Sequence, residues 1–222
     1  NIGIAKTREQ ISYEWGVNRK SRFWVIDDDC EFMLSTPKET FEVDGKVQKS
    51  PITEETFGKM LVDIEEAIDA GYPHGGIGTT INNPIGKYPH IDNTRIISNV
   101  WYDGATLCDE IPKIDWLLDG AEDYYVNLQL LTRGYPNRVI YKYAINPSVS
   151  HAEGGCSEYR DIEFHNEACR KLARAFPEFV SLTEKESKSG PWKGITKLGI
   201  NGKWKKAYKS SQTNTLEDFM NE

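Results

Sequence analysis

The sequence contains no apolar run approaching the ~20 residues that a membrane-spanning helix requires, and nothing at its start resembles a signal peptide. A soluble, cytoplasmic protein with no membrane partner is therefore the expectation. Cysteine is sparse and scattered: Cys30, Cys108, Cys156 and Cys169 form no CxxC pair. That spacing argues against a secreted disulfide scaffold and a structural zinc site, and for reduced thiols. Internal repeats are absent, as is any overall excess of basic charge. Lys and Arg number 27 against 34 Asp and Glu, a net charge of −7, which does not suit a protein that coats nucleic acid with its whole surface. The charge is uneven, however, because residues 183–210 hold eight lysines and only two glutamates. With 222 residues, 38% of them hydrophobic, the chain can build a substantial core.

Apolar periodicity gives the organisation. Ile4, Ile11 and Trp15 suggest a helix that delivers the chain into a buried strand at Phe23–Ile26. Two prolines and a Val-Asp-Gly-Lys turn mark residues 35–51 as a surface loop or small hairpin. A helix follows from Thr53 to Ala70, with Phe57, Met60, Leu61, Ile64 and Ile68 on one stripe, Thr53 as cap and Gly71 as terminator. The glycine-, proline- and asparagine-rich stretch from Gly71 to Pro89 reads as a long functional loop. Arg95–Tyr102 reads as a strand, Glu122–Arg133 as a helix ended by Gly134, Arg138–Tyr143 as a strand, and Tyr159–Phe176 as a helix stopped by Pro177. Strands alternating with helices predict one α/β domain over residues 1–182, followed by a basic, aromatic-containing tail over 183–222. His165 is expected at the surface or in an interface.

Chemistry concentrates where the Phe23–Ile26 strand meets Asp27, Asp28 and Asp29. Strand ends in open α/β sheets are ligand sites. Alternation places Asp27 and Asp29 on one side, where carboxylate oxygens suit a hard cation; an acidic turn is the plainer alternative. Glu122 and Asp123 open a helix, whose dipole favours anionic carboxylates that can accept a proton. The plainer reading is the usual acidic first turn. His151 lies in a loop with Gly154 and Gly155, which let backbone N–H groups approach an anion, and imidazole complements two carboxylates at a Mn²⁺-type site. In the tail, Trp192 and Trp204 alternate with Lys193, Lys203, Lys205 and Lys206, pairing stacking faces with phosphate-binding charge; a solvated lysine tail is the alternative.

Four segments carry a family resemblance: Gly3-Ile4-Ala5-Lys6-Thr7-Arg8, Trp24-Val25-Ile26-Asp27-Asp28-Asp29, the Glu122-Asp123 helix start, and His151 through Arg160. In this order they resemble a GT-A glycosyltransferase, and more narrowly the phage glycosyltransferases associated with TET/JBP-type DNA base hydroxylases, over roughly residues 3–180. The resemblance implies a GT-A-like mixed sheet flanked by helices and a nucleotide-sugar donor, taken as a UDP-sugar. It implies Mn²⁺ or Mg²⁺ on Asp27, Asp29 and His151, with Arg8, Asp27, Asp28, Gly76, Asn83, Gly154, Gly155 and Arg160 about the donor. Asp123 would be the catalytic base for sugar transfer with inversion. The implied acceptor is a hydroxymethylated pyrimidine in DNA, in the cytoplasm of a phage host. GT-A chains usually open with a β-α-β unit that holds the nucleobase. This chain starts at Asn1, apparently past it, so the expectation is that the unit is missing or rearranged. Two rival classes are a divalent-metal nuclease or nucleotidyltransferase, with Glu31 as the near additional acid, and a non-catalytic DNA-binding module.

Overall fold

The computed structural model describes residues 3–27, 30–35, 40–43, 46–80, 88–146, 161–188 and 192–220, the side chains of 40–43, 46–49 and 213–220 excepted. In chain order the elements are α1 (Ile4–Ser12), continued by a π-helical stretch Tyr13–Asn18, β1 (Arg22–Ile26), β2 (Glu31–Leu34), β3 (Thr40–Val43), β4 (Lys46–Lys49), α2 (Glu54–Asp69), β5 (His74–Thr79), β6 (His90–Asp92) and β7 (Asn99–Asp103). These are followed by α3 (Gly104–Leu107), α4 (Glu122–Thr132), β8 (Asn137–Asn146), α5 (Ile162–Ala175), β9 (Val180–Glu186), β10 (Thr196–Gly202) and α6 (Trp204–Met220). The main sheet runs β1-β7-β5-β8-β2, with β6 also on β8. It is mixed: β5 and β8 are parallel, and the other pairs are antiparallel. An α/β architecture with helices about a mixed sheet is thus what the chain adopts.

Local signals explain most boundaries. Thr53 caps α2 by accepting from the Thr56 N–H at 3.2 Å, and Gly71 leaves the helix at φ 91°. Asp161 caps α5 through the Phe164 N–H at 2.7 Å. Met60, Ile64, Ala67 and Ile68 of α2 are buried with Ile77, Trp101, Ile140 and Tyr143, but Leu61, expected on the same stripe, is 41% exposed. It lies one residue beyond Met60 and so turns away from the sheet.

Two readings of the sequence need correction. The Phe23–Ile26 strand is not deeply buried. As β1 it is an edge strand, paired among the described residues only with β7, and its residues are partly exposed. The glycine-rich stretch is not a loop throughout, because His74–Thr79 forms the central strand β5. Its glycines serve close packing: a Cβ on Gly75 would lie 2.0 Å from Trp101 Cζ2, and one on Gly76 would lie 2.8 Å from Ile96 Cγ2.

The basic C-terminal segment is folded. β9 crosses the 182/183 boundary and pairs with β10. Phe179, Val180 and Ala207 pack with Leu118, Leu128, Leu131, Ala168 and Leu172 from the α4 and α5 side. His165 joins this packing rather than facing solvent. It is half-buried, with Nε2 2.8 Å from the Leu198 carbonyl, because α5 lies against β10.

A buried polar network fixes α4 to the sheet. Asn127 Oδ1 accepts from Asn137 Nδ2 at 2.5 Å and lies 3.2 Å from His74 Nε2. Asn127 Nδ2 donates to the Thr94 carbonyl at 2.9 Å, and Asn137 Oδ1 accepts from the Thr94 N–H at 2.9 Å. Because the Asn127 oxygen accepts, His74 carries its proton on Nε2. Burial pushes the His74 pKa down to about 4, so the folded state excludes a proton that the unfolded chain takes up below about 6.5. This contribution to stability is complete above about 6.5 and is lost as pH falls toward about 4. We predict that the His74→Gln variant loses less unfolding free energy than the wild type between pH 7 and pH 4.5, by roughly 1–3 kcal/mol in urea titrations. Identical pH dependence would contradict the assignment.

Candidate functional site

Helix α1 buries Ala5, Arg8 and Ser12, a spacing of one face with an arginine at its centre. Its first turn is held by Asp119, whose Oδ1 accepts from the Ala5 N–H at 3.2 Å. This contact ties α1 to the loop preceding α4. Arg8 is 7% exposed and faces three carboxylates: Nη2 lies 2.7 Å from Asp27 Oδ1, Nη1 lies 3.3 Å from Glu122 Oε1, and Nη1 also pairs with Asp123 Oδ1. One guanidinium thus gathers the end of β1 and the start of α4.

The backbone completes the arrangement. Asp123 Oδ2 accepts from the Ser98 N–H at 2.8 Å, and the Asp27 N–H donates to the Ser98 carbonyl at 3.2 Å. Ser98 adopts φ 61°, a left-handed conformation uncommon for a residue with a side chain and often found at functional sites. Glu122 Oε2 accepts from the Gly120 N–H at 3.1 Å. Tyr102 is buried close enough to Arg8 to feel its charge, and burial pushes its hydroxyl far above the ordinary phenol range against that charge.

Three carboxylates against one guanidinium leave an excess of negative charge among the described residues, relieved in part by the N-terminus of α4. Asp27 has its side chain 29% exposed, and its Oδ2 has no hydrogen bond among the described residues. A hard cation suits such oxygen donors. Among the described residues, no group of three or more His, Cys, Asp or Glu side chains is placed to hold a metal. Asp28, Asp29, Asn83, His151, Gly154, Gly155 and Arg160 lie outside the described residues.

The other expected site residues fall elsewhere. Gly76 is enclosed within the sheet beside Ile96 and Asn99. Lys193, Lys203, Lys205 and Lys206 are exposed on the C-terminal unit. Trp192 is half-buried, edge-on to His165 with ring centroids 5.7 Å apart, and Lys197 Nζ stands 5.2 Å over its ring. Trp204 packs beside Tyr124 at 5.4 Å, the residue next to Asp123. Sequence reasoning missed Ser98 and the pairing of Glu122, since a left-handed serine leaves no pattern in the chain.

The chain is similar in sequence to bacteriophage proteins named as glucosyltransferases. Two proteins named beta-glucosyl-HMC-alpha-glucosyl-transferase, from Enterobacteria phage T2 and Enterobacteria phage T6, are each 32% identical to it over 180 residues, covering 79% of this chain. The chain spans 62% of the length of each. No protein-family model matches it, and no solved structure matches it. No helix among the described residues is long and apolar enough to cross a membrane.

Removing Arg8 alone would strand buried carboxylates without their partner. Arg8→Met is expected to cost roughly 3–5 kcal/mol of stability by urea unfolding. A change below ~1 kcal/mol would show that the cluster does not depend on this charge.

Proposed function

We propose that the chain is a metal-dependent glycosyltransferase of GT-A-like fold that moves a sugar from a nucleotide-sugar donor to a hydroxyl on hydroxymethylcytosine in DNA, or on a sugar that this base already carries. The observation that carries the reading is the convergence of Asp27 and Asp123 on the buried Arg8, at a strand end and a helix start. The relationship to the two phage proteins supports the reaction class and the acceptor.

In this reading Asp123 takes the proton from the acceptor hydroxyl as its oxygen attacks the sugar carbon. Arg8, the Ser98 N–H and the α4 N-terminus hold the carboxylate in place and complement its charge. In this reading the sugar carbon inverts, because the activated hydroxyl displaces the diphosphate directly from the opposite face. Asp27, with Asp29 and His151, would supply ligands to Mn²⁺ or Mg²⁺. Such an ion, when bound, offsets the charge of the departing diphosphate. The exposed lysines of the C-terminal unit would lie along the DNA backbone. Trp204 contributes mainly by packing beside Tyr124, which reduces the face it can offer to a base.

The test is incubation of the protein with UDP-glucose and Mn²⁺ on three DNAs: unmodified, hydroxymethylcytosine-containing, and glucosylated on hydroxymethylcytosine. Nucleoside mass spectrometry should find one added hexose on a modified DNA and none on the unmodified DNA. Cleavage or end-labelling of DNA without sugar transfer would instead favour phosphoryl chemistry. Neutralising Lys203, Lys205 and Lys206 together should weaken DNA binding and lower the slope of log affinity against log salt by about 2–3 units. An unchanged slope would remove these lysines from the interface.

A further inference from the structure

A second cation lies beside the carboxylate cluster. Arg95 stands in the segment between β6 and β7 and is half-buried. Arg8, Arg22 and Arg138 each pair with carboxylates; among the described residues, none pairs with Arg95. Its charge acts on the hydroxyls of Tyr124 and Tyr141.

Arg95 lines a shallow depression open to solvent, together with Ile77, Gly78, Thr79, Ile97, Val139 and Tyr141. The depression sits where the parallel β5–β8 pairing shifts register between Ile77 and Gly78. It adjoins the carboxylate cluster through one stretch of backbone. Ile97 forms part of its wall, and the next residue, Ser98, bonds both Asp27 and Asp123.

A guanidinium keeps its charge at all accessible pH values. Half-buried and paired with no carboxylate among the described residues, it has a planar fork that matches tetrahedral oxyanions. We propose that Arg95 and this depression seat a phosphate group of the substrate, next to Asp123. The inference rests on the glycosyltransferase reading for its choice of sources: the diphosphate of the sugar donor or a backbone phosphate of the acceptor DNA. The link through Ser98, whose backbone N–H bonds Asp123, favours the diphosphate.

The experiment compares the wild-type protein with Arg95→Met and Arg95→Lys in two arms. Uridine diphosphate binding with Mn²⁺ is measured by calorimetry, and binding of a short DNA duplex is measured by fluorescence anisotropy at two salt concentrations. Arg95→Met should weaken uridine diphosphate binding about 10- to 100-fold with DNA affinity unchanged. Arg95→Lys, which keeps the charge and loses the fork, should show a smaller loss. A drop confined to DNA, with a shallower salt slope, would assign the phosphate to the acceptor. Unchanged binding in both arms overturns the proposal. Should Arg95→Met not fold, Arg95→Lys decides, and wild-type values in both arms for that variant are equally fatal. Wild-type sugar transfer is measured in parallel. Its absence counts against the glycosyltransferase reading, whereas transfer with unaffected Arg95 variants removes only this site.

Discussion

The guanidinium of Arg8 is the interaction on which the site depends. A buried arginine costs several kcal/mol in lost hydration unless carboxylates replace the water, and here three do so. Their positions come from distant parts of the chain: Asp27 at the end of an edge strand, Glu122 and Asp123 at the start of α4. Like carboxylates repel one another, so they stay together because Arg8 lies between them and Ser98 adds its N–H from the sheet side. The local cost of a left-handed Ser98, of order 1–3 kcal/mol for such a conformation, is offset by hydrogen bonds to both halves of the cluster.

The rest of the fold holds these pieces in register. Helix α4 is fixed at its middle by the buried His74–Asn127–Asn137 network and along its outer face by α5, the β9–β10 hairpin and α6. In the C-terminal unit, apolar residues such as Val180 and Ala207 support the helix that carries Asp123, while Lys193, Lys203, Lys205 and Lys206 are exposed. A truncation before β9 would expose the Leu128 and Leu131 face of α4, and its effect on activity would not isolate DNA binding.

Periodicity and caps are what make parts of this fold legible in the sequence. Helix α2 was legible because Thr53 and Gly71 bracket a clear apolar stripe, and α4 because Gly134 follows one. The acidic strand end and the Glu122-Asp123 helix start were legible as chemistry. Three features were not. Gly75 and Gly76 look like loop residues, yet they lie in the central strand because Trp101 and Ile96 occupy the space a side chain would need, a tertiary cause with no local signature. Arg8 looks like an anion-binding arginine, and its carboxylate partners are separated from it by 19 and more than 110 residues. Residue patterning makes Arg95 look like part of a strand, but β7 begins at Asn99, and the place of Arg95 beside β5 and β8 is set by the fold.

The central claim is that the cluster held by Arg8 is the catalytic centre and that Asp123 is its base. The most direct measurement is the Asp123→Asn variant, assayed for transfer of labelled glucose from UDP-glucose to hydroxymethylated DNA, with uridine diphosphate and DNA affinities determined on the same preparation. An amide preserves the shape of the side chain but cannot take the proton. The account predicts a turnover about 10²–10⁴-fold lower with both affinities close to those of the wild type. Wild-type turnover in this variant would contradict it and would leave Asp123 as a residue that only starts a helix.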